Sequence, residues 1–200
     1  MDKKILILAE GKADKKFLKD YITFHYKNIS IKKENDNSTS YDINILSNGG
    51  KDFNQNNINI IETNVDDNND IIIIFDADKD FNKSKYNIKK RLKKFNIKDE
   101  NIFLLPNNKD TGCLETILIN IAVRKEIIKC FDEYANCISS LDNIKIPIYK
   151  SKVFAYLEAI KKYNKDDIKE ENRNYMDKDI WDIENIYLNE LKSFLNNFFI

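Results

Sequence analysis

The chain has 200 residues, 42% hydrophobic, 12% aromatic and 33% charged, which is enough apolar material for one packed domain and excludes a disordered or fibrous chain. Lys+Arg 33 and Asp+Glu 33 cancel to a formal net charge of zero, so any binding of nucleic acid must come from a local patch and not from a global field. Three cysteines without C-x-x-C spacing, no signal-peptide pattern and no stretch near the ~18 apolar residues of a membrane span predict a cytoplasmic protein with reduced thiols and no membrane partner.

In chain order, Lys4 to Ala9 is a short apolar run rich in β-branched residues and ended by Glu10-Gly11, which predicts a buried strand. Phe17, Leu18, Tyr21, Ile22 and Phe24 give Asp14 to Tyr26 a helical period. Lys32 to Tyr41 is a polar loop. Asp42 to Ser47 alternates like a second strand and stops at the turn Asn48-Gly49-Gly50. A helix is expected over Asp52 to Asn64. Asp70 to Phe75 is the clearest strand, terminated by Asp76-Ala77-Asp78. Tyr86 to Phe95 reads as a lysine-rich helix, and Asn101 to Leu105 as a fourth strand stopped by Pro106. Beyond Gly112 only helices are expected, over Leu114 to Ile138, Ser151 to Tyr163 and Glu184 to Phe199. Strands alternating with helices imply a parallel four-stranded α/β sheet. The organisation expected is an α/β core over 1–112 and a helical part over 113–200 packed on it.

Open parallel sheets build sites outside the carboxyl ends of their strands. Glu10 follows the first strand, and Asp76 and Asp78 follow the third. If those strands are neighbours, three carboxylates converge. Asp14 lies one helical turn beyond Glu10 and can face the same cleft. Glu115 follows the fourth strand, near the start of a helix. Singly, each is an ordinary turn or cap residue. Together they repel unless a cation intervenes, and hard oxygen ligands suit Mg2+ or Mn2+. A calcium EF-hand loop is excluded, because Phe81 and Asn87 stand where Gly and Glu are needed.

The ordered set resembles a Toprim domain: Glu10-Gly11 with Asp14, Gly49-Gly50-Lys51, and Asp76-x-Asp78. The rest of the chain extends the likeness to a family of small, stand-alone bacterial Toprim-like proteins related to the overcoming-lysogenization-defect (OLD) nucleases. There the motifs are Leu105-Pro106-Asn107, Gly112-x-Leu114-Glu115, Ser151-Lys152 before an aromatic-bearing helix, and Trp181 before a C-terminal helix with Leu191, Phe194 and Leu195. The resemblance implies a Toprim-like, Rossmann-like fold and a metal-dependent nuclease using one or two Mg2+ or Mn2+ ions. Asp76, Asp78 and Glu10 would hold the first ion, with Glu10 also handling protons. Glu115 and Asp14 would hold a second, and Lys152 would meet charge on the phosphate. It also implies phage-defence settings and a possible ATPase partner. Phe81 stands where topoisomerases and rRNA maturases carry Gly, which sets those subfamilies aside.

Other residues read more plainly. His25 is expected at the surface or in packing, and Trp181 against the last helix. Cys130 and Cys137, seven residues apart, have the spacing of a core stripe. The densest basic run includes Lys89, Lys90, Arg91 and Lys93. Together with Lys51 it is the candidate contact for a phosphate backbone, or else a solvated face. The alternative to an enzyme is a metal-binding nucleic-acid or nucleotide module without activity of its own.

Overall fold

The computed structural model describes residues 4–33, 41–147, 149–160 and 162–200. Most of the expected polar loop, over 34–40, lies outside them. Four strands, β1 (Ile5–Ala9), β2 (Ile43–Ser47), β3 (Asp70–Asp76) and β4 (Ile102–Leu105), form one sheet. All pairings are parallel, in the order β2-β1-β3-β4. The sequences of β1, β3 and β4 are apolar without alternation because both their faces are covered, whereas the edge strand β2 alternates. Ile7, Ile72, Ile74 and Phe103 point into one core, whereas Leu6, Leu8, Ile73 and Leu104 point into another.

The connections explain which helix covers which face. Helix α1 (Lys12–His25) leads from β1 outward to β2 and packs in the first core. Helix α2 (Gln55–Asp66) leads back across to β3, and α3 (Phe81–Arg91) leads on to β4. With the direction reversed, right-handed crossovers put α2 and α3 on the opposite face, and Ile61 and Ile88 fill the second core. The result is a Rossmann-like α/β/α arrangement whose switch point lies between β1 and β3.

The chain after β4 packs on the α1 side. It contains α4 (Leu114–Ile121), α5 (Lys125–Ser139), α6 (Tyr149–Glu158) and α7 (Asn189–Phe199). Ile117, Leu118, Tyr156, Trp181, Leu191 and Leu195 join the first core with Phe17 and Tyr21. An irregular segment between α6 and α7 is held by side chains. Asp20 accepts the Tyr175 amide at 3.0 Å. Tyr175 also meets Phe17 edge to face, with ring centroids 5.4 Å apart.

The structure revises several expected elements. The single helix expected over Leu114 to Ile138 is two, because Ala122 leaves helical geometry and pairs with Trp181 as an isolated bridge. The helix expected from Tyr86 starts at Phe81, where the Asp80 side chain caps the Lys83 amide. Cys130 and Cys137 are exposed and not core, since only Ile128 of peripheral α5 is buried. All three cysteines are free thiols, and Cys113 is half-buried. His25 packs on Tyr21 and bonds the Ile183 carbonyl through Nε2 at 3.1 Å. Among the described residues no helix is long and apolar enough to cross a membrane.

Candidate carboxylate site

The strand register decides the site. Ala9 of β1 lies opposite Ile74 of β3, so Glu10 and Asp76 leave adjacent strands at the same end of the sheet. The two ends are tied directly, because the Asp76 amide donates to Glu10 Oε2 at 3.2 Å. Asp14 comes from the first turn of α1. Its carboxylate reaches back to the Gly11 amide at 2.8 Å. Gly11 makes room for this, since an alanine Cβ there would stand 3.0 Å from that oxygen. The E-G-x-x-D pattern is thus a local device: strand end, helix start, and an acidic cap turned into the cleft.

The fourth carboxylate arrives by the loop after β4. That loop is fixed in place by the D-x-D end of β3. Asp78 and Gly112 exchange both backbone hydrogen bonds, each at 2.8 Å. Gly112 has φ +145, and a Cβ on it would meet Thr116 Oγ1 at 2.8 Å and Pro106 Cδ at 3.0 Å, so glycine is required. Helix α4 then begins beside Asp76. The Leu114 amide donates to Asp76 Oδ1 at 3.1 Å, and Glu115 sits in the first turn.

These four groups perturb one another. Burial pushes the Asp76 carboxyl up to about 9, helped by the charges of Asp14, Glu10 and Glu115 and opposed by the Leu114 amide. Burial raises Asp14 to about 6, with Glu115 and Glu170 adding to it and the Gly11 amide opposing. Glu10 is also raised, chiefly by burial, while the Lys51 ammonium pulls it down. Cys113 is raised to about 12 by burial and by Glu115 beside it. The site is therefore a half-buried pool of carboxylates short of positive charge. Glu10, Asp14 and Asp76 each take a backbone amide as local partner. Among the described residues no three acidic, histidine or cysteine side chains form a ready-made ligand group.

The sequence-derived candidates divide accordingly. Glu10, Asp14, Asp76 and Glu115 are brought together. Asp78 is not part of the pool: its φ of 54 turns the side chain outward, where it pairs with Lys51. Lys51 lies between Asp78 and Glu10, at the rim of the cleft. Lys152 is ion-paired with Asp132 of α5 and lies over the Tyr149 ring. In the basic run, Lys89 pairs with Asp99, and Arg91 pairs with Asp52 while bonding the Lys51 carbonyl. Arg91 thus tethers the loop that carries Lys51. Lys90 and Lys93 line an open hollow beside Tyr86.

Sequence reasoning missed three neighbours of the pool. Glu170, itself paired with Lys150, contributes charge at Asp14. Tyr175, fully buried with Arg173 beside it, feels Asp14 and Glu115. Arg173 is buried beside the Tyr175 hydroxyl, bonds the Ile168 carbonyl through Nε at 3.0 Å, and lays its guanidinium over the Phe154 ring, 4.8 Å from the centroid. All three sit in irregular backbone, where no periodicity marks a residue as inward-facing.

The model of one family, described as "Protein of unknown function (DUF3226)", matches residues 4–200, and the chain belongs to that family. No curated protein and no solved structure matches the chain.

Proposed function

We propose that this chain is a divalent-metal-dependent phosphodiesterase acting on nucleic acid, a nuclease of the Toprim type. What supports the reading is one observation: four carboxylates from three chain segments share the switch point of a parallel sheet, and three of them are held above their ordinary pKa. Ionising all four there is unfavourable without a cation, and oxygen-only donors suit Mg2+ or Mn2+. Glu10, Asp14, Asp76 and Glu115 are the residues that would hold one or two such ions. When bound, they would supply Lewis-acid polarisation of the phosphate and an activated water.

The chain's own groups have separate tasks in this reading. The Leu114 amide and the backbone lock between Asp78 and Gly112 fix the direction of Asp76. Glu10, with a raised pKa at the open edge of the pool, is suited to taking up a proton. Lys51 brings a positive charge to the rim, where a phosphate oxygen would enter. Asp78 holds Lys51 in that position rather than serving in the pool.

A second reading is favoured by Lys152, whose ammonium is occupied by Asp132 instead of facing the pool. In that reading the cleft binds metal and a nucleic-acid end or nucleotide, and activity needs a partner protein, an ATPase if the resemblance to phage-defence systems holds. Incubation with Mn2+ and labelled DNA and RNA decides between them. The enzyme reading requires cleavage that Asp76→Asn and Glu115→Gln each reduce by orders of magnitude. Saturable Mn2+ binding without cleavage of any substrate leaves the binding module. Absence of both refutes the metal site itself.

A further inference from the structure

We infer that the exposed face of α1 and the edge of β2 form a basic track that takes the phosphodiester backbone of a nucleic-acid strand and leads it to the carboxylate pool. This rests on the proposed function for the purpose of the track, although the surface itself is independent of that reading.

Two adjoining hollows of about 410 and 400 Å3 run along this side of the molecule and share Lys15, Lys32 and Ile45 in their walls. The first adds Lys12, Lys16 and Lys19. The second adds Lys33 and Tyr41. Lys12, Lys15 or Lys16, and Lys19 recur at helical spacing, so α1 presents them as one stripe. From Lys12 to Lys19 the helix rises about 10 Å, which matches roughly three phosphates at ~3.4 Å per nucleotide of one strand.

Among the described residues part of the charge on the track is uncompensated, although Lys15 is already engaged. Lys16 is paired with Asp20 at 2.6 Å, and Glu171 contributes one negative charge to the wall. Lys12, Lys19 and Lys33 enter no ion pair among the described residues and are exposed. Lys4 and Lys32 both lie over the Tyr41 ring, 4.6 and 5.1 Å from its centroid, which adds a second positive charge at this end of the track. By contrast, the basic run of α3 and the residues after it is partly neutralised in place by Asp99, Asp52 and Glu62.

The track is also continuous with the pool. Lys12 follows Gly11 directly and stands two residues before Asp14. Glu171 follows Glu170, whose charge Asp14 feels. A strand lying on the stripe therefore arrives at the carboxylates from the α1 side. An anionic membrane would also be attracted by lysines, but a concave wall that starts at Lys12, two residues from Asp14, fits a chain of phosphates better than a flat sheet of headgroups.

The test is fluorescence anisotropy with a labelled 20-nucleotide single strand in EDTA, so that no metal and no cleavage enter. The variants are a triple Lys12→Ala, Lys19→Ala, Lys32→Ala chain and a control of equal charge, Lys89→Ala, Lys90→Ala, Lys93→Ala. All six side chains reach solvent, and circular dichroism melting checks that both variants fold. Three lost phosphate contacts should lower the slope of log K against log salt by about 2, at ~0.7 per contact. Binding at 50 mM salt should weaken more than tenfold, with the control within about twofold of wild type. A wild-type chain that does not bind overturns the track, as does an equal loss in both variants. Anionic vesicles captured with the same lysine dependence as the oligonucleotide would also overturn it, since the patch would then be a membrane surface. Failure of the metal site is separable: binding through these lysines without Mn2+-dependent cleavage sinks only the nuclease reading. Cleavage with an unchanged KM in the lysine variant sinks only the track.

Discussion

Asp76→Asn isolates what the carboxylate pool does to the fold. In the folded chain the Asp76 carboxyl is held up at about 9, against an ordinary value of 3.8. A carboxyl raised on folding favours the folded state fully only below its unfolded pKa, and that contribution is lost as pH rises through the folded value. At pH 7 the folded carboxyl keeps its proton while the unfolded one has released it, an imbalance of about 4 kcal/mol at 1.36 kcal/mol per pH unit. Asparagine keeps an oxygen for the Leu114 amide but places an unpartnered amide nitrogen in the pool, which takes back about 2 kcal/mol. We therefore predict that Asp76→Asn, without metal, is more stable than wild type at pH 7–8 by about 2 kcal/mol. For a chain of this size that is a rise in Tm of about 4–8 °C. The advantage should vanish near pH 5, where the imbalance has shrunk to about 2 kcal/mol, and become a deficit at pH 4, where about half of the unfolded carboxyls are already protonated. Adding Mn2+ should reverse the order, since a ligand bound only to the folded state raises Tm by mass action and the variant has lost a ligand group. Thermal melts from pH 4 to 9, with and without Mn2+, provide the measurement. A variant that melts below wild type by the same margin at every pH would show that Asp76 is an ordinary structural carboxylate and would refute the argument.

Three further predictions concern other parts of the site. Gly112→Ala should destabilise the chain by about 3 kcal/mol, because it strains a φ of +145 and drives a methyl into Thr116 and Pro106; a denaturant midpoint equal to wild type would contradict this. Glu115→Gln should leave the melting temperature within about 2 °C of wild type but weaken Mn2+ binding in calorimetry, and identical isotherms would remove Glu115 from the metal set. Under native conditions Cys130 and Cys137 should react with a thiol reagent promptly, and Cys113 only after denaturation, since its thiol is half-buried and raised to about 12; one fast thiol, or three, would conflict with that.

The sheet and its switch point were legible because β1 and β3 are apolar on both faces, leaving Glu10 and Asp76 as the first charges after each run. Glu115 was legible through Gly112 and the helix start behind it. The fate of Asp78 was not, because alternation in the letters D-x-D says nothing of a left-handed backbone at the second aspartate. The break at Ala122 carries no Gly or Pro; its cause is a backbone pairing with Trp181, far along the chain. Arg173 and Tyr175 were missed for the same reason. Their burial is imposed by Asp20, Phe17 and the first core, and local sequence does not record it. Lysines are spread along the whole chain, which hid the stripe on α1, while the denser run around Arg91 drew attention to residues that fold partly onto their own acidic partners.

The exchange of hydrogen bonds between Asp78 and Gly112 also makes the mouth of the cleft mechanically unequal. On that side the end of β3, the loop after β4 and the first turn of α4 form one rigid jaw, so Asp76 and Glu115 keep their spacing whatever enters. The facing jaw is the turn after β2. There Gly49 and Gly50 have φ of +75 and +119, and an added Cβ on either would meet nothing within 4 Å. It is anchored at its base by the Gly50 amide on the Glu10 carbonyl, at 3.0 Å. Lys51 rides on this turn, its carbonyl held by Arg91 and its ammonium by Asp78, so the two jaws are coupled through one ion pair.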